Sequence, residues 1–312
     1  IHRSPLPLRR TISVQVTLCA VATAVAALSD TYGAAADQRQ RAARARLAFR
    51  RTAPPGGPGA AGAGRTGSAW LTSFLSANLN IKAVHEPLEI NDFGVIMPDI
   101  KIMRNFNNFG NNELVKSFWK KKFSYIQNDV YAETNHTLCK CGLVENVILN
   151  GLEDVTTLII LKRNIIKQCV SYLVRNDFQN ITLAWQWYLH PSYVKKIINP
   201  EPFIKLGGLG LPLWYCYEMS ARQEYYSQKF SKKIEMHHIA LEDLTKKSGA
   251  QDFLKALGVH GVCKLPSPKN ENKLKPSDQL VDNVSTIVSK VNVDMPQIVE
   301  DIIKKGFSFS KT

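Results

Sequence analysis

The 312-residue sequence predicts an α/β domain built on a parallel sheet flanked by helices. Three observations carry this. Short apolar, β-branched runs, above all Val155-Thr156-Thr157-Leu158-Ile159-Ile160-Leu161, fit strands buried on both faces. These runs alternate with stretches of helical periodicity, the order of a sheet with crossover helices. A glycine turn, Gly64-Arg65-Thr66-Gly67, also runs directly into a helical pattern at Ser68. The composition, 45% hydrophobic and 21% charged, is that of a globular chain.

Residues 1–63 differ in kind from the remainder of the chain. Arg3, Arg9 and Arg10 precede an apolar run, Ile12 to Leu28, of about 17 residues, which as a helix would span about 25 Å against a ~30 Å hydrocarbon core. The basic flank, the apolar run and the small residues Gly33 to Ala36 fit a signal peptide or a short anchor. Gln38 to Arg51 is Arg- and Ala-rich and free of acid, as in an organelle transit segment. Ala53 to Gly59, with three prolines and three glycines, cannot be a helix or a central strand. Up to Arg65 every Lys-or-Arg position is Arg, and the first Lys is Lys82. The chain begins at Ile1. The leader therefore reads either as a targeting segment or as mis-joined sequence standing where a first strand belongs. A Golgi or secretory location, and any membrane contact, are expected only if the 12–28 segment is a real anchor; otherwise the chain is expected in the cytoplasm.

From residue 64 the chain reads as one domain. Trp70, Leu71, Phe74 and Leu75 mark one face of a helix over 69–79. In Val84-His85-Glu86-Pro87-Leu88 the proline favours an extended Glu86. Residues 111–127 read as a helix, 129–134 as a strand and 141–150 as a helix. The strand ending at Leu161 passes through Lys162-Arg163-Asn164 into a helix over 165–174 that carries Ser171. Residues 181–188, with Trp185 and Trp187, read as a helix end in the core. A helix over 215–230, a strand over 234–241, an irregular Lys- and Pro-rich stretch over 264–275, and closing helices over 280–288 and 296–305 complete the chain.

The glycine turn is a candidate anion cradle. A loop entering a helix N-terminus aims several unpaired N–H groups at one spot, where the dipole favours negative charge. Arg65 adds a donor fork that matches phosphate or sulfate oxygens. The net charge of +14 fits an anionic ligand, but no basic helix interleaved with stacking aromatics is present, so nucleic acid is not expected. The six cysteines form no scaffold or zinc pattern and read as free thiols. No metal is expected.

Three segments together resemble the sulfotransferase family: the Arg65-Thr66-Gly67-Ser68 loop; the strand, Arg163 and helical Ser171; and Leu241-Glu242-Asp243-Leu244 with Phe253-Leu254 and Leu257-Gly258. The loop is similar to the form found in carbohydrate sulfotransferases. The resemblance covers roughly residues 64–260 and implies a P-loop NTPase-like sulfotransferase fold. It implies 3′-phosphoadenosine 5′-phosphosulfate (PAPS) as donor co-substrate and a small-molecule or glycan hydroxyl as acceptor. By this resemblance Arg65, Thr66, Gly67, Ser68, Ala69 and Trp70 would hold the phosphosulfate, and Arg163 and Ser171 the 3′-phosphate. Ala69 departs from the Ser or Thr common there, and no strand is visible before the loop. Sulfuryl transfer needs a base within reach of the acceptor hydroxyl. Glu86 is the candidate, with His136 and His85 as rivals, while Glu242 reads as a structural tie. A P-loop kinase or NTPase is the alternative, because Gly59 to Thr66 is one Lys short of Gly-x4-Gly-Lys-Thr. A degenerate sulfotransferase-like binding protein is a third reading. Asn135-His136-Thr137, Asn180-Ile181-Thr182 and Asn283-Val284-Ser285 are glycosylation sequons.

Overall fold

A computed structural model of the protein describes residues 15–16, 20–21, 67–81, 83–87, 89–126, 131–179, 188–267, 275–291 and 293–310. Two short strands come first, β1 (Gln15–Val16) and β2 (Ala20–Val21), paired antiparallel. Helix α1 (Ser68–Leu79) comes next and leads into β3 (Ala83–His85). After it stand α2 (Ile100–Phe109), α3 (Glu113–Tyr125), β4 (Ala132–Thr134) and α4 (Leu143–Leu149). Strand β5 (Thr157–Lys162) precedes α5 (Ile165–Val174), α6 (Glu201–Ile204) and α7 (Gly210–Phe230). The chain closes with β6 (Glu235–Ala240), α8 (Leu241–Leu244), α9 (Lys247–Ala256), α10 (Asp278–Lys290) and α11 (Met295–Lys304).

The fold is mixed α/β with small parallel sheets. Strand β3 pairs parallel with β4, setting His85 opposite Thr134. Strand β5 pairs parallel with β6, setting Thr157 opposite Glu235 and Lys162 opposite Ala240. The β1–β2 pair lies beside both, β1 along β5 and β2 along β4. Helical crossovers join the parallel strands, as parallel pairing requires.

Strand β5 divides the core, because successive side chains on a strand face opposite sides. Leu158 packs into one apolar cluster with Trp119, Val144, Tyr172, Tyr215 and Phe309. Ile159 and Leu161 pack into the other, with Trp70, Leu71, Phe74 and Leu75 of α1 and Phe253 and Leu254 of α9. Helix α7 is buried on nearly all sides, carrying Trp214, Tyr215, Tyr225 and Tyr226 into the first cluster, as expected of a helix without a polar face. Its first residue must be glycine: a Cβ at Gly210 would stand 1.9 Å from the Phe203 carbonyl oxygen of α6.

The buried charges of α7 are paired. Glu218 accepts the N–H groups of Ile197 and Ile198 at 2.8 and 2.9 Å and takes Arg222 Nε at 2.8 Å. Arg222 donates to the Lys195 carbonyl at 2.9 Å and lies 4.5 Å from the Phe309 ring centroid. This staple pins the chain before α6 onto α7.

Several elements depart from the sequence-based expectation. Helix α2 has no counterpart in the sequence pattern. It starts where the Asp99 carboxylate accepts the Ile102 N–H, and it is held by burial of Ile102, Met103 and Phe106. Within the 12–28 run the described residues form strands, not helix. Among the described residues no helix is long and apolar enough to cross a membrane. Residues 180–187, with Trp185, Trp187 and the Asn180 sequon, lie outside the described residues, as do Arg65 and Thr66. Cys139, Cys141, Cys169, Cys216 and Cys263 are free and buried, as the absence of a scaffold pattern predicts.

Candidate functional site

The described residues among those singled out by sequence lie in three groups, near the start of α1, after β5, and at the ends of β3 and β4. Helix α1 begins at Gly67, whose φ of 85° places it in the left-handed region, and no side chain caps the helix. A Cβ on Gly67 would meet Leu241 Cδ1 at 2.7 Å, so the glycine lets the start of α1 close on the end of β6. Ser68 is 1% exposed and its hydroxyl has no hydrogen-bond partner among the described residues. An uncapped helix start with a buried, unengaged hydroxyl is equipped to receive an anion. Ala69 is half-buried beside it. Trp70 turns the other way: its indole stacks on Phe74 at 5.3 Å and donates to the Pro266 carbonyl at 3.1 Å. Only its backbone is placed at the cradle, and the side chain is core.

Leu241 leads to the second group. Its neighbour Glu242 accepts the Asn164 N–H at 3.4 Å and lies 3.9 Å from Lys167 Nζ. Glu242 therefore ties the turn after β5 to the end of β6, the structural part expected of it. That turn carries Arg163, half-buried at the strand end. Partial burial pulls the Arg163 pKa down from the usual guanidinium value, while Glu242 opposes the shift. Helix α5, capped by the Asn164 side chain on the Lys167 N–H at 3.1 Å, carries Ser171, 7% exposed, two turns along.

The third group sits at the ends of β3 and β4. Thr72, one turn into α1, donates to the Ser68 carbonyl at 3.0 Å and bonds the Thr134 hydroxyl of β4. His85 Nδ1 lies 2.9 Å from that same Thr134 hydroxyl. Glu86 donates its N–H to the Thr134 carbonyl at 3.1 Å, extending the β3–β4 ladder by one residue. Its φ is then 38°, in the left-handed region, not extended as the following proline predicts. The ladder bond and the buried side chain override the local preference. Glu86 Oε1 reaches His136 Nδ1 at 2.8 Å and the His136 N–H at 3.3 Å.

The two catalytic candidates are thus one dyad, and both are buried: Glu86 is 4% exposed and His136 5%. Burial works to raise the Glu86 pKa, but His136, through charge and hydrogen bonds, and His85 outweigh it and hold the pKa below the usual value. Burial depresses the His136 pKa, with Lys140 and His85 acting the same way against Glu86. Near neutral pH the pair is an ionised carboxylate and a neutral imidazole. Because an ionised carboxylate only accepts, Nδ1 carries the proton and Nε2 keeps its lone pair. Both Nε2 and Glu86 Oε2 are buried without a partner among the described residues. A neutral imidazole with an oriented lone pair has the protonation state that a general base requires.

Sequence reasoning did not find Thr72, which bonds Thr134 between cradle and dyad, although Ser68 and Thr72 lie at the four-residue spacing of one helix face. It also missed Lys122. The Lys122 ammonium pairs with Glu133 at 2.6 Å and bonds the Ile96 carbonyl, and Glu133 also accepts Tyr131 at 2.8 Å and Asn135 at 2.9 Å. Asn135 is fully buried, with its amide nitrogen engaged by Glu133 and Met97, so its sequon is closed to modification in the folded chain. Among the described residues no group of His, Cys, Asp and Glu is arranged to hold a metal ion. Comparison of the chain with family models, with curated proteins and with solved structures gives no match.

Proposed function

We propose that this chain is a sulfotransferase that moves a sulfuryl group from PAPS to an acceptor hydroxyl, with a carbohydrate hydroxyl the first to test, on a P-loop NTPase-like sheet. The observation that carries the reading is the bridge from Ser68 through Thr72 and Thr134 to the Glu86–His136 dyad. It links the start of α1, the candidate cradle, to the ends of β3 and β4, where the candidate base stands.

The donor supplies the sulfuryl group and leaves as 3′,5′-adenosine bisphosphate. In this reading the first-turn N–H groups of α1 and the Ser68 hydroxyl hold the phosphosulfate, and Arg163 and Ser171 take the 3′-phosphate. His136 Nε2 accepts the proton of the attacking hydroxyl, and Glu86 fixes the imidazole and stabilises its protonated form. Positioned donors of this kind supply most of the acceleration when charge builds on peripheral and leaving oxygens.

The test is thermal stability of the full chain with 3′,5′-adenosine bisphosphate, against magnesium-ATP. At 100 times the dissociation constant a ligand adds roughly 2.7 kcal/mol, a readily measured shift. Stabilisation by the bisphosphate alone is expected. Stabilisation by magnesium-ATP alone would replace this reading with the kinase or NTPase alternative.

A further inference from the structure

His136 is held from two directions, and only one of them is the dyad. Along β4 and the residues that follow it the partners alternate, as successive side chains on a strand do. Thr134 and His136 meet Thr72 of α1 and His85 and Glu86 at the end of β3. Glu133 and Asn135 turn instead to α3 and to residues 96–97. Glu133 takes the Lys122 ammonium at 2.6 Å, the Tyr131 hydroxyl at 2.8 Å and the Asn135 amide at 2.9 Å, and Lys122 also reaches the Ile96 carbonyl.

The Asn135 side chain passes this anchor on to the chain around His136. Its nitrogen donates to Glu133 and to the Met97 sulfur, and its carbonyl oxygen accepts the Thr137 N–H at 2.9 Å and the Thr137 hydroxyl at 2.8 Å. The two neighbours of His136 are thereby clasped to each other, and Glu133, Asn135 and Thr137 are fully buried. Both oxygens of Glu133 and both polar atoms of Asn135 are engaged. A buried ion pair gains little net stability over apolar packing, but a fully satisfied polar network holds one arrangement.

We infer that Glu133 and Asn135 are positioning residues: anchored by Lys122, they lock the turn 135–137 and so hold the His136 ring on Glu86 with Nε2 free of the proton. The positioning stands without the sulfuryl-transfer reading; its effect on turnover rests on that reading. The lock is directional. A carboxylate only accepts, so Glu133 must face the Asn135 amide nitrogen and leave the amide oxygen for Thr137. In Glu133→Gln the Lys122 ammonium and the Tyr131 hydroxyl claim the one remaining side-chain oxygen, and the new amide nitrogen meets that of Asn135, donor against donor. Turning the Asn135 amide over only moves the conflict to the Thr137 N–H.

The experiment is proton–nitrogen correlation NMR of the His136 imidazole in the full chain at neutral pH, with the signal assigned by its loss in His136→Gln. The native ring is expected as a single Nδ1–H tautomer, set by the bond to Glu86. Glu133→Gln should populate the Nε2–H form. A loss of stability alone does not change the tautomer of the folded chain, so this readout separates positioning from packing. A native ring that is not Nδ1–H, or a ring unchanged in Glu133→Gln, overturns the inference. Where Glu133→Gln fails to fold, Thr137→Val decides: it removes the hydroxyl bond to Asn135 and no charge, and a ring unchanged in it overturns the inference as well. Turnover of PAPS separates the two ideas. In Glu133→Gln kcat should fall about tenfold to a hundredfold, with binding of 3′,5′-adenosine bisphosphate unchanged. A tautomer shift in a chain whose native form does not turn over PAPS sinks the sulfuryl-transfer reading and leaves the positioning standing. Native turnover with the His136 ring unmoved in the variant sinks the positioning alone.

Discussion

At Glu86 one residue satisfies three demands at once: its N–H completes the ladder to Thr134, its φ of 38° swings the side chain inward, and Oε1 captures His136. A non-glycine residue held in the left-handed region costs on the order of 1–3 kcal/mol, and such strain collects where geometry matters more than stability. Glu86→Gln tests what the geometry achieves. A glutamine amide can donate to Nδ1, which reverses the tautomer and puts the proton on Nε2, where the lone pair is needed. If the proposed sulfuryl transfer holds, turnover of PAPS should fall by about 10²–10⁴ with the fold intact by circular dichroism. His136→Gln should lose a similar amount. If His136 is the base, the rate also falls in acid. Its pKa in the folded chain lies below the ordinary 6.5, so the rate holds through neutral pH and drops only below that value, as Nε2 takes a proton. The sign is the same for stability: below pH 6.5 the unfolded chain binds the proton more readily than the folded one, so acid destabilises. Gly67 makes a separate residue-scale case. Gly67→Ala adds left-handed strain and a Cβ 2.7 Å from Leu241 Cδ1, and should cost roughly 1–3 kcal/mol and weaken bisphosphate binding. Adding Leu241→Ala should return the steric part only, as read by urea denaturation of the double variant.

The elements show why some of this was legible from sequence and some was not. Helix α1 and strand β5 announce themselves, one by apolar residues at 70, 71, 74 and 75, the other by a β-branched run buried on both faces. Helix α2 does not. Its Asn105, Asn107 and Asn108 are weak helix formers, and it forms because Asp99 caps it and Phe106 is buried. The dyad members are each candidates by sequence, but not as a pair. They stand 50 positions apart, and only the register that sets His85 opposite Thr134 brings them together. Register is a tertiary fact that a periodicity does not contain. The Glu218–Arg222 staple on α7 is equally invisible, since an acid and a base four residues apart usually mark a solvated face. Here both are buried, so removing one strands the other. Glu218→Ala should cost about 3–5 kcal/mol by urea denaturation, chiefly from the unpaired guanidinium left in the core. Glu218→Gln with Arg222→Met removes both charges, keeps an acceptor for Ile197 and Ile198, and should cost clearly less. A double variant as unstable as the single would show that packing over Phe309, not charge, is the larger contribution.

For the whole molecule, the pH dependence of folding combines opposing contributions. The chain carries +14 at neutral pH, so acid adds self-repulsion, and His136 also resists protonation. Glu145 of α4 works in the opposite sense. It is 5% exposed; the Tyr226 hydroxyl, shared with the Cys139 carbonyl at 3.2 Å, reaches Oε2 at 3.4 Å, and Oε1 has no partner among the described residues. Burial pushes its pKa from 4.5 up to about 7, with its own backbone N–H, Tyr226, Lys229 and Arg222 offsetting only part of the shift. Between those two values the folded chain holds a proton that the unfolded chain has released. Stability from this group is therefore complete below pH 4.5 and drains away as pH rises to 7, by about 3 kcal/mol. The overall profile hides this, because the repulsion among the basic residues and His136 slopes the other way. Glu145→Gln isolates it, since the amide imitates the protonated acid and cannot ionise. The stability of Glu145→Gln minus that of the native chain, measured by urea denaturation at each pH, should be near zero at pH 4.5. It should rise to about 3 kcal/mol in favour of the variant above pH 7. A difference that stays flat across that window would mean that Glu145 is ionised in the folded chain. The interior around Tyr226 would then have to supply a counter-charge that its hydrogen bonds do not.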